Sequence, residues 1–248
     1  RAVVFSSAHA SRFISHADVK WLQEGGAQYV ARQQATTPPP APPADYVGLD
    51  RLHGLLLRMN SLGVVFIAAL EGHALGLGAE FAWACDLRVM ASEDAFIGQP
   101  EVLLGIMPGG GGSQRLPRLV GTHKALVAIL DGQPLTAAQA LEMGAVDVVV
   151  PKADVVAKAL ALADYLARRH KPSIGAIKRA VYFGSSLPLQ DGIKLEAKEF
   201  LTLDVSPEGQ KLMLAYQAGT DLLGDLPLYV AGQYETALED GRTAKSYS

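Results

Sequence analysis

The chain has one cysteine, two tryptophans and seven phenylalanines among its 248 residues, and Lys and Arg (22) nearly balance Asp and Glu (25). Each scarcity excludes something. A lone Cys85 cannot form an intrachain disulfide, and no Cys/His cluster has zinc spacing, so a reducing cytoplasm is the expected compartment and no metal is expected. A net charge of −3 gives no basic footprint for nucleic acid or for an anionic membrane surface. The longest apolar run, Gly63 to Leu70, is far below the roughly 20 residues of a membrane-spanning helix. Arg1-Ala2-Val3-Val4-Phe5 has neither the apolar stretch nor the cleavage pattern of a signal peptide. What is plentiful is apolar and small: 49% of residues are hydrophobic and 25 are glycine, enough to bury a substantial core.

The pattern along the chain predicts an α/β protein. Ala2 to Phe5 and Val64 to Ala69 read as buried strands, and Asp86 to Ala91 as a further one. Leu49, Leu52, Leu55, Leu56 and Met59 recur at helical spacing, which predicts a helix from Val47 to Met59 that Asn60 and Gly63 end. Residues 76 to 85 read as a glycine-rich turn opening a short helix. Thr136 caps a helix that stops at Gly144, and Val146 to Val150 is a strand closed by Pro151. Beyond Lys152 the pattern is helical over 153–169, 173–183, 189–202 and 207–218, with Ser206 as a cap and Pro207 in the first turn. A weak helix is expected over 230–239. These features divide the chain into a sheet-containing core, 1–150, and a helical region, 151–248. Residues 36 to 44, TTPPPAPPA, form a loop or insert, because proline removes backbone donors and fixes φ.

Two glycine-rich segments fail the tests for nucleotide or nucleophile motifs. Gly76-Leu77-Gly78-Ala79-Glu80-Phe81 has Phe81 where a dinucleotide fingerprint needs glycine. Gly109 to Gln114 lacks the Lys-Ser/Thr pair of a phosphate loop, and Gly111 to Arg115 lacks the last glycine of a nucleophile elbow. Two carboxylates stand out instead. Glu80 opens the short helix, and Glu101 lies in Ile97-Gly98-Gln99-Pro100-Glu101-Val102-Leu103-Leu104-Gly105. Burial among small, apolar neighbours raises a carboxyl pKa, and two nearby carboxyls push each other's apart. One then keeps a proton while the other accepts one. On the residues alone, the alternative reading is that each glutamate caps or tethers a helix.

Four ordered segments together resemble the enoyl-CoA hydratase/isomerase (crotonase) superfamily: residues 13–20 (FISHADVK), 72–88 (GHALGLGAEFAWACDLR), 96–116 (FIGQPEVLLGIMPGGGGSQRL) and 131–147 (DGQPLTAAQALEMGAVD). The resemblance spans residues 1 to about 183. It implies a crotonase-like spiral of ββα repeats with a helical C-terminal oligomerisation region, a homotrimer or homohexamer, and an acyl-CoA thioester substrate with no further cofactor. It places the oxyanion donors at the backbone N–H groups of Ala17 and Leu77, and the acid and base at Glu101 and Glu80. An oxyanion hole suits this chemistry because addition to a conjugated thioester puts negative charge on the carbonyl oxygen. His16, Asp18, Lys20, Gly76 and Gly109 fall at substrate-binding positions, Lys20 near the CoA phosphates. His16 and Leu77 stand where the family usually has glycine. Family members also have about 40 to 50 residues, a strand pair and a helix, before the strand that begins here at Ala2, so an N-terminal portion is expected to be absent from the chain.

The activity implied is hydration of a 2-enoyl-CoA to a 3-hydroxyacyl-CoA. The alternatives are another acyl-CoA reaction on the same fold, such as isomerisation, decarboxylation or hydrolysis, or a CoA-binding subunit with impaired catalysis.

Overall fold

A computed structural model describes residues 1–35 and 47–223. The proline-rich segment 36–44 and the helix expected over 230–239 lie outside the described residues. In chain order the elements are β1 (Ala2–Phe5), β2 (Arg12–Ile14), α1 (Val19–Ala35), α2 (Val47–Ser61), β3 (Val65–Leu70), β4 (His73–Leu75), α3 (Leu77–Ala84), β5 (Leu87–Ala91) and β6 (Phe96–Gly98). A 3-10 helix, Glu101–Leu104, leads to α4 (Gly112–Val120), α5 (Thr122–Asp131), β7 (Leu135–Thr136), α6 (Ala137–Met143) and β8 (Val148–Val150). Four helices follow: α7 (Val155–Ala167), α8 (Lys171–Tyr182), α9 (Leu189–Asp204) and α10 (Pro207–Leu223).

The strands form two four-stranded sheets, ordered β1-β3-β5-β8 and β2-β4-β6-β7. The pairs β1/β2, β3/β4 and β5/β6 each give their first strand to the first sheet and their second to the other, each pair adding a neighbour to both, and β7 and β8 then close the second and first sheets. The topology is therefore the expected spiral. Pairing is parallel at β3–β5, with Ile67 opposite Leu87, and at β4–β6, with Ala74 opposite Ile97. The antiparallel β6–β7 pair ends the second sheet. All six residues of β3 are buried, as a parallel strand covered on both faces requires. Arg88 on β5 is 3% exposed. Its Nη2 lies 2.7 Å from Asp147 Oδ2 and its Nη1 donates to Cys85 O at 2.9 Å.

Caps fall where residue chemistry places them. The Thr136 hydroxyl accepts the Gln139 N–H while Gln139 reaches back to the Thr136 N–H, a reciprocal capping box at α6. Gly144, at φ 85°, ends that helix. Ser206 Oγ accepts the Gly209 N–H at the start of α10.

The chain divides into two compact units. One comprises Val4–Met59 and Phe66–Leu160 and holds most of both sheets. The other comprises Arg1–Val3, Asn60–Val65 and the described residues from Ala161 on. Within this second unit Arg179 grips Glu199 through Nε at 2.7 Å and Nη2 at 2.5 Å, and Lys178 donates to Val64 O at 2.7 Å. Among the described residues no helix is long and apolar enough to cross a membrane.

Candidate active site

The site begins at the turn from β4 into α3. Gly76 has φ 55° and ψ −123°, a conformation that excludes ordinary side chains. A Cβ there would also lie 3.0 Å from Glu101 Oε1 and 3.0 Å from His16 Cβ, so glycine is needed for space as well as for backbone angle. The turn is fastened on both sides. Gly76 N–H donates to Gly98 O at 2.9 Å, and its carbonyl accepts from Gln99 Nε2 at 3.2 Å and from Glu80 N–H at 3.0 Å. Leu77 is the first residue of α3, so its N–H has no carbonyl partner within the helix. At Gly78 a side chain would collide with the Ile14 carbonyl, which is how α3 comes so close to β2.

Glu80 sits in the first turn of α3 and is 2% exposed. Its Oε1 accepts two backbone N–H groups at 2.8 Å each, from Gly110 and Gly112. A Cβ at Gly110 would strike Glu80 Oε2 and come within 2.9 Å of Leu77 Cδ1, so only a glycine brings this amide to the carboxylate. Burial pushes the Glu80 carboxyl pKa up. The amides of Gly112 and Gly110, then Arg115 and His53, pull against that rise.

Glu101 opens the 3-10 helix after Pro100. Its Oε2 is buried without a hydrogen-bond partner. Burial raises this carboxyl to about 7, its own backbone N–H opposes the rise, the charge of Glu80 adds to it, and His16 lowers it. A buried carboxyl and a half-buried one, each sensing the other's charge, thus have different supports. Glu80 is clasped by two amides that favour the anion, whereas Glu101 has a free oxygen and titrates near neutrality. Such a pair can take a proton at one point of a small molecule and deliver one at another.

The remaining sequence candidates fall at varied distances from this pair. His16 shares the Gly76 turn with Glu101, and its Nδ1 is 2.7 Å from Ala17 O. Because a carbonyl only accepts, Nδ1 carries the proton. Ala17 lies between β2 and α1, and Asp18 caps α1 through Oδ1, which accepts the Trp21 N–H at 3.1 Å. Lys20 is 81% exposed and 3.8 Å from Glu24. Gly109 precedes the two amides that hold Glu80, and its carbonyl accepts from His53 Nε2 at 2.8 Å. His73, on β4, packs against Phe96 with ring centroids 5.2 Å apart. Trp83 is core, donating to Ala145 O at 3.1 Å.

Four contributors were not found by sequence reasoning: Gly110, Gly112, Gln99 and His53. The glycine run was a visible signal for the first two, although it was tested only as a phosphate or nucleophile loop. Gln99 stands beside Pro100 in a quoted motif. Its amide holds the Gly76 carbonyl and packs where a Cβ on Gly112 would fall, 2.8 Å from Gln99 Cδ. His53 gave no signal beyond its place beside an apolar stripe.

Residues 45–218 match the family model described as enoyl-CoA hydratase/isomerase. The chain is similar to a protein of Bacillus subtilis named "Probable enoyl-CoA hydratase", with 41% identity over 152 residues, 61% of this chain and 58% of that protein. It is 37% identical over 181 residues to the fatty acid oxidation complex subunit alpha of Shewanella loihica, covering 72% of this chain and 24% of that one. The chain thus spans less than two thirds of the length of these curated relatives. Among solved structures, the enoyl-CoA hydratase of Bacillus anthracis superposes with a TM-score of 0.72 at 27% identity, over 92% of this chain and 81% of that one.

Proposed function

Because the chain belongs to the enoyl-CoA hydratase/isomerase family, we propose that it adds water across the 2,3 double bond of an enoyl-CoA thioester, giving a 3-hydroxyacyl-CoA. The single observation that carries this reading is the pair of carboxyls with raised pKa values and unequal supports, Glu80 and Glu101. Glu80, whose charged form the Gly110 and Gly112 amides favour against the effect of burial, takes a proton from water as its oxygen attacks Cβ. Glu101, raised to about 7, is present in both forms near neutral pH, and its protonated form delivers the proton to Cα. Charge that gathers on the thioester oxygen is met by the N–H groups of Ala17 and Leu77. The helix-start position of Leu77 supports its part, since that amide is spare. Gly76 keeps this approach free of side-chain bulk, His16 lines it beside Glu101, and Gly109 anchors the glycine run at its edge. Asp18 and Lys20, at the start of α1, lie toward the CoA moiety in this reading. No metal or cofactor is required, because protons and backbone dipoles supply every step.

Self-association as a trimer or hexamer fits the exposed apolar residues of α9, among them Leu189, Ile193, Phe200 and Leu201. A cytoplasmic setting fits a chain whose single cysteine, the buried Cys85, has no second cysteine to bridge to.

The test is direct. The protein is incubated with 2-enoyl-CoAs of short and medium chain length, and loss of the conjugated thioester absorbance is followed while products are identified by mass and chromatography. Hydration yields a product heavier by one water. A flat trace at every chain length, or a product of unchanged mass, refutes the proposal.

A further inference from the structure

We propose that His53 is a positioning residue for Glu80, acting through the Gly109 carbonyl to hold the glycine run whose amides clasp that carboxylate. The inference rests on the hydratase reading for its kinetic consequence, but its geometry stands apart from it.

Gly109 to Gly112 carry no side chains, and four consecutive glycines lose more backbone freedom on ordering than any other tetrapeptide would. The run must therefore be fastened from outside. At its far end it runs into α4, where the Gln114 and Arg115 N–H groups bond to Gly111 O at 3.1 and 2.8 Å. In its middle, the amides of Gly110 and Gly112 meet Glu80. At its near end, Gly109 O accepts from His53 Nε2 at 2.8 Å, across 56 residues of sequence. Since the acceptor is a carbonyl, Nε2 is the protonated nitrogen whatever the charge of the ring. Protonating Nδ1 would add charge near Glu80 without breaking the bond.

The root of His53 is itself fixed. It rises from α2, where Leu56 is fully buried and Met59 nearly so. A donor on a packed helix is thus set against the end of a loop that has no side chains of its own, and the loop's amides decide where Glu80 Oε1 rests. Other charged groups that act on Glu80 are Arg115 from α4 and, by mutual repulsion, Glu101 from the 3-10 helix. Substitution of His53 leaves both in place.

The experiment compares wild type with His53→Leu, which keeps bulk but cannot donate, and His53→Gln, whose amide can reach the same carbonyl. Each protein carries carboxyl-labelled glutamate, and the Glu80 signal is assigned by its absence in Glu80→Gln and followed through a pH titration. Loss of the donor loosens the amides that favour the anion, so Glu80 in His53→Leu titrates at higher pH than in wild type, and His53→Gln returns it toward the wild-type curve. With a four-carbon 2-enoyl-CoA, kcat falls roughly tenfold in His53→Leu while KM stays within about twofold, and His53→Gln recovers most of the loss. Thermal melts establish that each variant is folded. Superimposable Glu80 titrations in wild type and His53→Leu overturn the proposal, as does a His53→Gln protein no better than His53→Leu. Should wild type show no turnover at all, the hydratase reading fails while the carboxyl titration still decides the role of His53.

Discussion

Replacing Glu101 by Gln is expected to stabilise the protein in alkali and to do almost nothing in mild acid. The carboxyl has an ordinary value of 4.5 and is raised to about 7 in the folded chain, chiefly by burial. Between these values the native state binds more protons than the unfolded chain, so this group's contribution to stability falls as pH rises. Its contribution is fully present below 4.5 and gone once pH has passed the folded value. The difference between the two values corresponds to about 3 kcal/mol. Gln keeps the shape and never ionises, so it escapes that loss. At about pH 8.5 Glu101→Gln should therefore be more stable by roughly 1–3 kcal/mol, the lower end allowing for relaxation around the charged form. For a chain of this size that is a rise in melting temperature of about 3–8 °C. At about pH 5 the gain should shrink below about 1 kcal/mol. Other titrating groups, such as Glu93 and Glu199 with their lowered pKa values, act equally in both proteins and cancel in the difference. Melts followed by circular dichroism at both pH values decide the matter. A Glu101→Gln protein that is equally or less stable than wild type at the higher pH would refute the claim that burial holds this carboxyl near neutrality.

The same titration governs catalysis in the proposed reaction: the proton donor is lost as pH rises through about 7, so kcat for hydration should fall about tenfold per pH unit above it, and a rate that climbs steadily from acid to alkali would contradict the assignment. Glu80→Gln removes the group that activates water and should lower kcat by roughly 10²–10⁴ without unfolding the protein, read from progress curves and a thermal melt. Gly110→Ala drives a methyl group into the Glu80 carboxylate, so it should abolish measurable hydration even where the melt shows a folded protein. Arg88→Leu removes the guanidinium from Asp147 and one donor from Cys85 O, while the main-chain bonds between residues 88 and 147 remain, and should cost about 2–4 kcal/mol in denaturant titration, eased because Asp147 keeps the Arg88 N–H and can reach water.

The long elements could be read from residue pattern because burial imposes it. β3 is apolar throughout since both faces are covered, and α2 shows a three-and-four spacing since one stripe is. Thr136, Gly144 and Ser206 announce helix ends, the first and last as side-chain acceptors of helix N–H groups and the second as a left-handed residue, and the structure uses each that way. Strands β2, β4, β6 and β7 escaped because two or three residues cannot display a period of two. Helices α4 and α5 escaped for another reason. One begins in the glycine run and holds Pro117, both signals of a loop, and the other leaves Leu126, Val127 and Leu130 exposed, so its apolar residues do not mark a single buried stripe.

The two glutamates were legible for the same reason that they are reactive. A carboxylate set among glycine, alanine and leucine must be buried or functional, and here both have raised pKa values. What surrounds them was hidden, because the groups that tune Glu80 are amides, and every residue but proline has one. Gly110 and Gly112 matter through what they lack: a Cβ on Gly110 would strike Glu80, and one on Gly112 would fall 2.8 Å from Gln99 Cδ. His53 matters through a carbonyl 56 residues away that any residue type would supply. The chemistry is thus written in side chains and its tuning in main chain. A variant that alters the tuning alone, with Glu80 and Glu101 untouched, should shift the pH dependence of the reaction before it removes the reaction itself.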